Sequence, residues 1–254
     1  MSVNIQRLKD LLWGHPLMEQ AGRGILRKVY QAQFQNAWTH SAEAPHFYCH
    51  RWNAFKLLDA RGGPEWMLRG LYAFETIRPG DRVLDIGCGD GFLTRTFLAA
   101  RASHVDAIDI EPSAIAEATT RQDAPNIVFR LMDAALEPFP HAAYQVIVWD
   151  GAIGHFSRDD AGKVLNKISR ALVPDGIFVG SESLGQEGHD HLQFFDSLES
   201  LAGLLLKSFR HVYVRQHEYC LPGGVIRREA YWRCSDDLSR LNLSGWQIFA
   251  GPGG

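Results

Sequence analysis

Cysteine is scarce. The 254 residues contain four (Cys49, Cys88, Cys220 and Cys234), and they form no CxxC pair and no ligand spacing with histidine. That excludes a disulfide framework and a zinc module, so no metal is expected, and it fits a reduced, cytoplasmic compartment. Long apolar runs are also missing. Nothing approaches the ~18 residues of a membrane span, and the N-terminal stretch MSVNIQRLKDLLWGHP carries charges among its apolar residues, so no membrane partner is expected. Nor is there an excess of positive charge. Lys and Arg number 26 against 29 Asp and Glu, a formal charge of -3, so nothing global steers the protein to a polyanion such as DNA. Repeats and low-complexity segments are absent. What remains is 46% hydrophobic and 22% charged, a composition that fills a core and excludes disordered and fibrous classes.

Two regions differ in pattern. Up to about Pro79 no segment reads as a strand. Helical spacing runs from 17 to 38, with Ile25, Leu26, Val29, Tyr30 and Phe34 on one side, again from Phe47 to Leu58, and from Glu65 to Ile77 after the Gly62-Gly63-Pro64 break. The dense aromatics here (Trp13, Trp38, Tyr48, Trp52 and Trp66 among them) read as the core of a helical cap rather than as a base-stacking surface. From Asp81 onward, short apolar strands at 82–86, 104–108, 126–131, 145–149 and 177–179 alternate with helical stretches at 91–100, 112–120 and 160–172. Such alternation predicts a parallel sheet with helices on both faces. Near the end the order changes. After a helical stretch at 194–206, strands at 212–214 and 225–232 flank the tight turn Pro222-Gly223-Gly224, so the sheet ends in an antiparallel hairpin.

The most informative segment is VLDIGCGDG, Val83 to Gly91: a strand, three alternating glycines, then a helix. Glycines there permit positive φ and close approach of a ligand to the backbone, beyond the carboxyl end of the first strand. The spacing 87, 89, 91 is one residue too tight for the dinucleotide fingerprint, and no lysine follows as in a P-loop. Asp85 and Asp90 flank the loop and would repel a diphosphate. They suit instead a cationic, phosphate-free ligand such as S-adenosylmethionine. Asp109, at the tip of the second strand, can accept from both ribose hydroxyls. Glu111 reads as a helix-start acid. After the third strand, Asp133 can accept from an adenine amino group, with the Ala134 amide facing a ring nitrogen; the plainer alternative for Asp133 is a loop cap.

The segments VLDIGCGDG, AIDIEPSAI, NIVFRLMDA, VIVWDGAIGHFS and ALVPDGIFVGSE resemble, in order and spacing, the motifs of class I S-adenosylmethionine-dependent methyltransferases, over roughly residues 80 to 234. The resemblance implies an α/β, Rossmann-like seven-stranded sheet of order 3-2-1-4-5-7-6 with the last strand antiparallel. It also implies three regions: an N-terminal helical cap or lid (1–79), the cofactor-binding domain (80–234) and a C-terminal tail (235–254). Carried over by motif, Asp85 and the backbone of Gly87, Cys88, Gly89 and Gly91 would hold the methionine portion of S-adenosylmethionine. Asp109 with Ile110 would hold the ribose side, Asp133 with Ala134 the adenine, and Asp150 would line the methionine side. Tyr48, Arg51 and Trp52 of the cap would help close the pocket, with Arg51 opposite the methionine carboxylate.

Methyl transfer from a sulfonium is an in-line displacement that alignment and exclusion of water accelerate, and a hydroxyl acceptor also needs a base. Candidate bases or substrate contacts follow the fourth and fifth strands: His155, His189 and His191, with Asp190 and Glu182 nearby. Each has a plainer reading as a structural or loop histidine. The Asn/Asp-Pro-Pro-aromatic motif of amino-methylating nucleic-acid enzymes is missing after the fourth strand, where Trp149-Asp150-Gly151-Ala152 stands, and so is the Pro-Cys of cytosine enzymes. The expected activity is therefore methyl transfer to an O or N atom of a small molecule, a sugar or secondary metabolite. The alternative is an RNA or protein methyltransferase that docks through the Arg23, Arg27 and Lys28 helix. The oligomeric state stays open, a homodimer included.

Overall fold

Alternate residues of the first strand, β1 (Arg82–Ile86), belong to two different cores, and this alternation organises the fold. Val83 packs into one buried cluster, Leu84 and Ile86 into the other. β4 (Tyr144–Asp150) repeats the division, with Val146 and Val148 on one face and Ile147 and Trp149 on the opposite face. A strand apolar on both sides must be covered on both, as in a doubly wound sheet. The computed structural model describes residues 63–120, 124–185, 191–220, 226–237, 239–241 and 244–250, with isolated positions between 18 and 28 that are all helical. The chain divides into two compact units, 1–45 and 46–254; the elements below lie in the second.

The elements run α1 (Gly63–Phe74), β1, β2 (His104–Asp109), α2 (Pro112–Thr119), β3 (Ile127–Leu131), β4, α3 (Arg158–Ala171), β5 (Leu172–Leu184), α4 (Leu198–Leu205), β6 (His211–Cys220), β7 (Ile226–Ser235) and β8 (Gln247–Ala250). They build one sheet of order β3-β2-β1-β4-β5-β7-β6-β8. Strands β3 to β5 are mutually parallel through β2, β1 and β4, while β7 is antiparallel to both β5 and β6. The expected order and inverted strand are present. The sheet nevertheless has eight strands rather than seven, because the tail adds β8 antiparallel to β6 over His211–Val214. Leu241 and Phe249 of the same tail pack against the two cores, and Trp246 sits edge-on to Tyr72.

Local chemistry sets the helix boundaries. Ser157 caps α3 by accepting the Asp160 amide, and Val164, Leu165 and Ile168 form its buried stripe. Each such side chain contributes about 1.5–3 kcal/mol. Glu111 caps α2 by accepting the Ser113 amide, with Pro112 in the first turn where its missing N–H costs nothing. The expected helix from Gly91 to Ala100 is irregular: after one α-helical step, Thr94–Leu98 is π-helical. The Pro174-Asp175-Gly176 segment does not end a helix ahead of a three-residue strand. It lies inside β5, as an irregularity where the register with β4 jumps from Tyr144↔Leu172 to Val146↔Ile177. Both hairpin strands are longer than the pattern suggested, and their Pro222-Gly223-Gly224 turn lies outside the described residues. The last helix of the expected cap, α1, contributes Ala73 to the same core as Val83, Val105 and Val148.

Candidate active site

In an open sheet, ligands sit where the connections turn to opposite sides, beyond the carboxyl ends of the strands. Here that point falls between β1 and β4. The loop leaving β1 turns through Gly87, Gly89 and Gly91, with φ of 71°, 55° and 76°. An L side chain is strained in that region, which explains the three glycines. At Gly91 space forbids one as well, since a Cβ would stand 2.6 Å from the Phe129 ring and 2.5 Å from Arg95 Nη1. The amides of Gly87 and Cys88 both donate to the Ile108 carbonyl (2.8 and 3.0 Å), leaning the loop over the tip of β2.

Asp109 closes this arrangement. Its Oδ2 accepts the Gly89 amide and its Oδ1 the Glu111 amide, both at 2.8 Å. The carboxylate plane is thus fixed by two backbone donors, and each oxygen keeps a second acceptor position. Burial pushes this carboxyl up, against the downward pull of the two amides. Ile110 beside it is 46% exposed, an apolar surface at the rim. Asp133 caps its own turn after β3, its Oδ1 accepting the Ala135 amide at 2.7 Å, and Ala134 is buried.

A small recess opens under the glycine loop, lined by Asp85, Gly87, Cys88 and Asp150 together with Arg69 and apolar side chains such as Leu93 and Val148. Asp85 is buried on its floor. Its Oδ2 accepts from the Thr94 hydroxyl at 2.6 Å. Burial raises its carboxyl to about 7, with the Asp150 and Asp109 charges adding to the rise and the Thr94 bond opposing it. Asp150 accepts from Ser181 Oγ at 2.6 Å and is likewise raised by burial, against the Arg69 charge. The Cys88 thiol is buried and pushed well up, so it is no nucleophile at neutral pH.

Sequence reasoning missed the group that braces this recess. Arg69 of α1 donates through Nε and Nη2 to Glu229 Oε1 of β7, at 2.9 and 2.5 Å, and its Nε lies 3.8 Å from Asp150 Oδ2. Glu229 is fully buried and also accepts from Arg227 Nε (2.8 Å) and Tyr219 Oη (3.1 Å). Burial would raise its carboxyl, but the two arginine charges outweigh that and hold it below its ordinary value. The partners lie 160 residues apart, and no local pattern announces them.

The two described candidate bases come together. His155, in a 3-10 turn after β4, and His191, after β5, stack edge to face with ring centroids 4.5 Å apart. Glu182 accepts the Gly154 amide at 2.9 Å, and a Cβ on Gly154 would stand 2.9 Å from His191 Nδ1 and 3.2 Å from Glu182 Oε2. Carboxylate and imidazole therefore flank one spot. His189, Asp190, Arg51, Tyr48 and Trp52 lie outside the described residues.

Comparison with known proteins agrees with this geometry. Residues 83–176 match a family model described as a methyltransferase domain. Over that segment the chain is similar to methyltransferases. It is 31% identical over 100 residues to malonyl-[acyl-carrier protein] O-methyltransferase of Acetivibrio thermocellus, covering 39% of this chain and 34% of that one. It is 26% identical over 121 residues to EEF1A lysine methyltransferase 4 of Mus musculus, covering 42% of this chain and 48% of that one. The chain thus spans less than half the length of these curated relatives. In fold it is similar to the N-methyltransferase NodS of Bradyrhizobium japonicum, solved in complex with S-adenosyl-L-homocysteine. The TM-score is 0.56 at 18% identity, over 71% of this chain and 91% of that one. Among the described residues, no helix is long and apolar enough to cross a membrane.

Proposed function

We propose that this chain transfers a methyl group from S-adenosylmethionine to an oxygen or nitrogen atom of a small-molecule acceptor, a sugar or a secondary metabolite. The observation that carries the cofactor half is the floor of the recess: Asp85, buried with a carboxyl near 7, faces the charges of Asp150 and Asp109 with one hydroxyl as its hydrogen-bond donor. Such a floor favours a cation and rejects a diphosphate. The residues present fit the ammonium, sulfonium and ribose diol of the cofactor. Asp85 and the loop from Gly87 to Gly91 hold the amino-acid end, with Asp150 along its side. The second acceptor positions of Asp109 take the ribose hydroxyls. Ile110, Asp133 and Ala134 form the adenine side, through apolar contact, the remaining acceptor capacity of Asp133 and the Ala134 amide.

When bound, S-adenosylmethionine supplies an electrophilic methyl group on positively charged sulfur. The chain's own work is to align the acceptor, keep water out and take its proton. His155 and His191 suit the last task. They lie beyond β4 and β5, edge to face with each other, and Glu182 accepts the amide of Gly154 beside them. A second reading, a protein acceptor, is favoured by relatives named as lysine methyltransferases.

Calorimetric titration with S-adenosylhomocysteine tests the cofactor half. Asp109→Ala removes two charge-assisted hydrogen bonds and is expected to weaken binding about 100-fold or more; unchanged affinity would detach Asp109 from the ribose. Transfer of radiolabelled methyl to a panel of small hydroxy and amino compounds, run beside a panel of proteins, tests the acceptor half. Label found only on protein would overturn the small-molecule assignment.

A further inference from the structure

At the opposite end of β2 from Asp109, three metal-binding side chains converge. His104 opens the strand and Asp106 follows two residues later on the same side. His141 reaches them from the loop before β4. His104 Nε2 lies 3.2 Å from Asp106 Oδ1, His141 Nε2 lies 3.6 Å from Asp106 Oδ2, and no two of the three ligand atoms are more than 4.8 Å apart. We propose that His104, Asp106 and His141 bind a divalent transition-metal ion, zinc by the character of the donors.

Four observations carry this. First, Asp106 is fully buried, yet its Oδ1 has no hydrogen-bond partner, and His104 Nε2 beside it has none either. Two buried polar atoms 3.2 Å apart that do not bond each other leave both desolvated without compensation. A cation between them satisfies both. Second, the spacing is right: ligands at zinc's bond lengths of about 2.0–2.2 Å in a tetrahedron stand roughly 3.3 Å apart. The half-exposed His141 ring can close the remaining gap. Third, the aspartate is already oriented from behind. Tyr144 Oη donates to Asp106 Oδ2 at 3.0 Å and accepts the His141 amide at 3.2 Å, the kind of outer contact that fixes metal ligands. Fourth, two imidazoles and one carboxylate select zinc or its first-row neighbours over calcium and magnesium, and leave a fourth position for water.

One group opposes the ion. Arg130 Nη2 lies 3.6 Å from Asp106 Oδ1, but its side chain is 43% exposed and can turn to solvent. The site is distinct from the recess. Along β2, Asp106 is three residues from Asp109 and His104 five, about 10 and 17 Å at the usual rise. Its effect would be to tie the loop carrying His141 to β2.

The test is titration of zinc chloride into the full chain after chelator treatment and dialysis, read by calorimetry and, with cobalt(II) in place of zinc, by its visible absorption. The expected result is one ion per chain at micromolar affinity or tighter, with a tetrahedral cobalt spectrum. His141→Ala and His104→Gln should each weaken binding at least tenfold, with circular dichroism verifying the fold; His141 is exposed, so its variant stands even if the other fails to fold. Arg130→Ala should tighten binding, which an ion pair serving only the fold would not predict. Binding weaker than millimolar, weaker binding in Arg130→Ala, or loss of the ion in a His155→Ala/His191→Ala double variant instead would each overturn the proposal.

Discussion

Asp85 meets one hydroxyl and two other acids, and this has a consequence for pH. Its carboxyl, ordinarily near 3.8, is held at about 7 in the folded protein, so between those values the native state carries a proton that the unfolded chain lacks. Its contribution to stability is complete below about pH 4 and is lost as the pH climbs to about 7, a change at most on the order of 4 kcal/mol. Asp85→Asn, which copies the protonated form, should melt close to the parent at pH 4 and several degrees above it at pH 8 when unliganded, by differential scanning fluorimetry. The same variant should bind S-adenosylmethionine at least tenfold more weakly, and the parent's affinity should fall as the pH drops below 7, because a cationic ligand needs the ionised acid. The histidine pair makes a separate prediction. His155→Ala and His191→Ala should lower kcat by about 10²–10⁴-fold while S-adenosylhomocysteine affinity holds. Full turnover in both variants would clear them of the proton-accepting role.

Among the elements, α1 meets β7 through the buried Arg69–Glu229 pair, and Arg233 of β7 donates to the Tyr72 carbonyl and pairs with Glu75. Replacing Arg69 by Met leaves Glu229 buried with Arg227 as its remaining charged partner, and breaking a buried pair from one side costs about 3–5 kcal/mol. Urea denaturation should register that loss in Arg69→Met and recover part of it in Arg69→Met/Glu229→Gln, where the buried Glu229 charge is gone. This pair also marks a limit of reading from sequence. The glycine turn was legible because positive φ at three alternate positions admits little else, and β1, β2 and β4 because both their faces are apolar. Arg69 and Glu229, like His104 and His141, were not: ordinary surface-type residues far apart in the chain are joined only by the finished sheet. The lengths of β5 and β6 were hidden for another reason. Pro174 and Gly176 read as a turn, whereas the strand accommodates them as an irregularity, and the charged half of β6 (Arg215, His217, Glu218) lacks an apolar alternation.

For the whole molecule, the unit 46–254 contains the complete eight-stranded sheet and both buried clusters. A fragment of those residues should therefore unfold in one cooperative transition and bind S-adenosylhomocysteine within about threefold of the full chain. The tail belongs to the same scale. Read from sequence it had no assigned place, since a four-residue strand with two polar or small members gives almost no periodic signal.

That short strand also guards the molecule in solution. β8 occupies the outer hydrogen-bonding side of β6 where β6 is most apolar, at Val212, Tyr213 and Val214, and among the described residues no strand pairs on that side with the stretch that carries Arg215, His217 and Glu218. Bare backbone next to hydrophobic side chains is a template for strand addition from a second copy, whereas charged side chains discourage it. A chain truncated after Asp237 should consequently self-associate in proportion to its concentration, visible as a rising sedimentation coefficient, while the full chain's remains level.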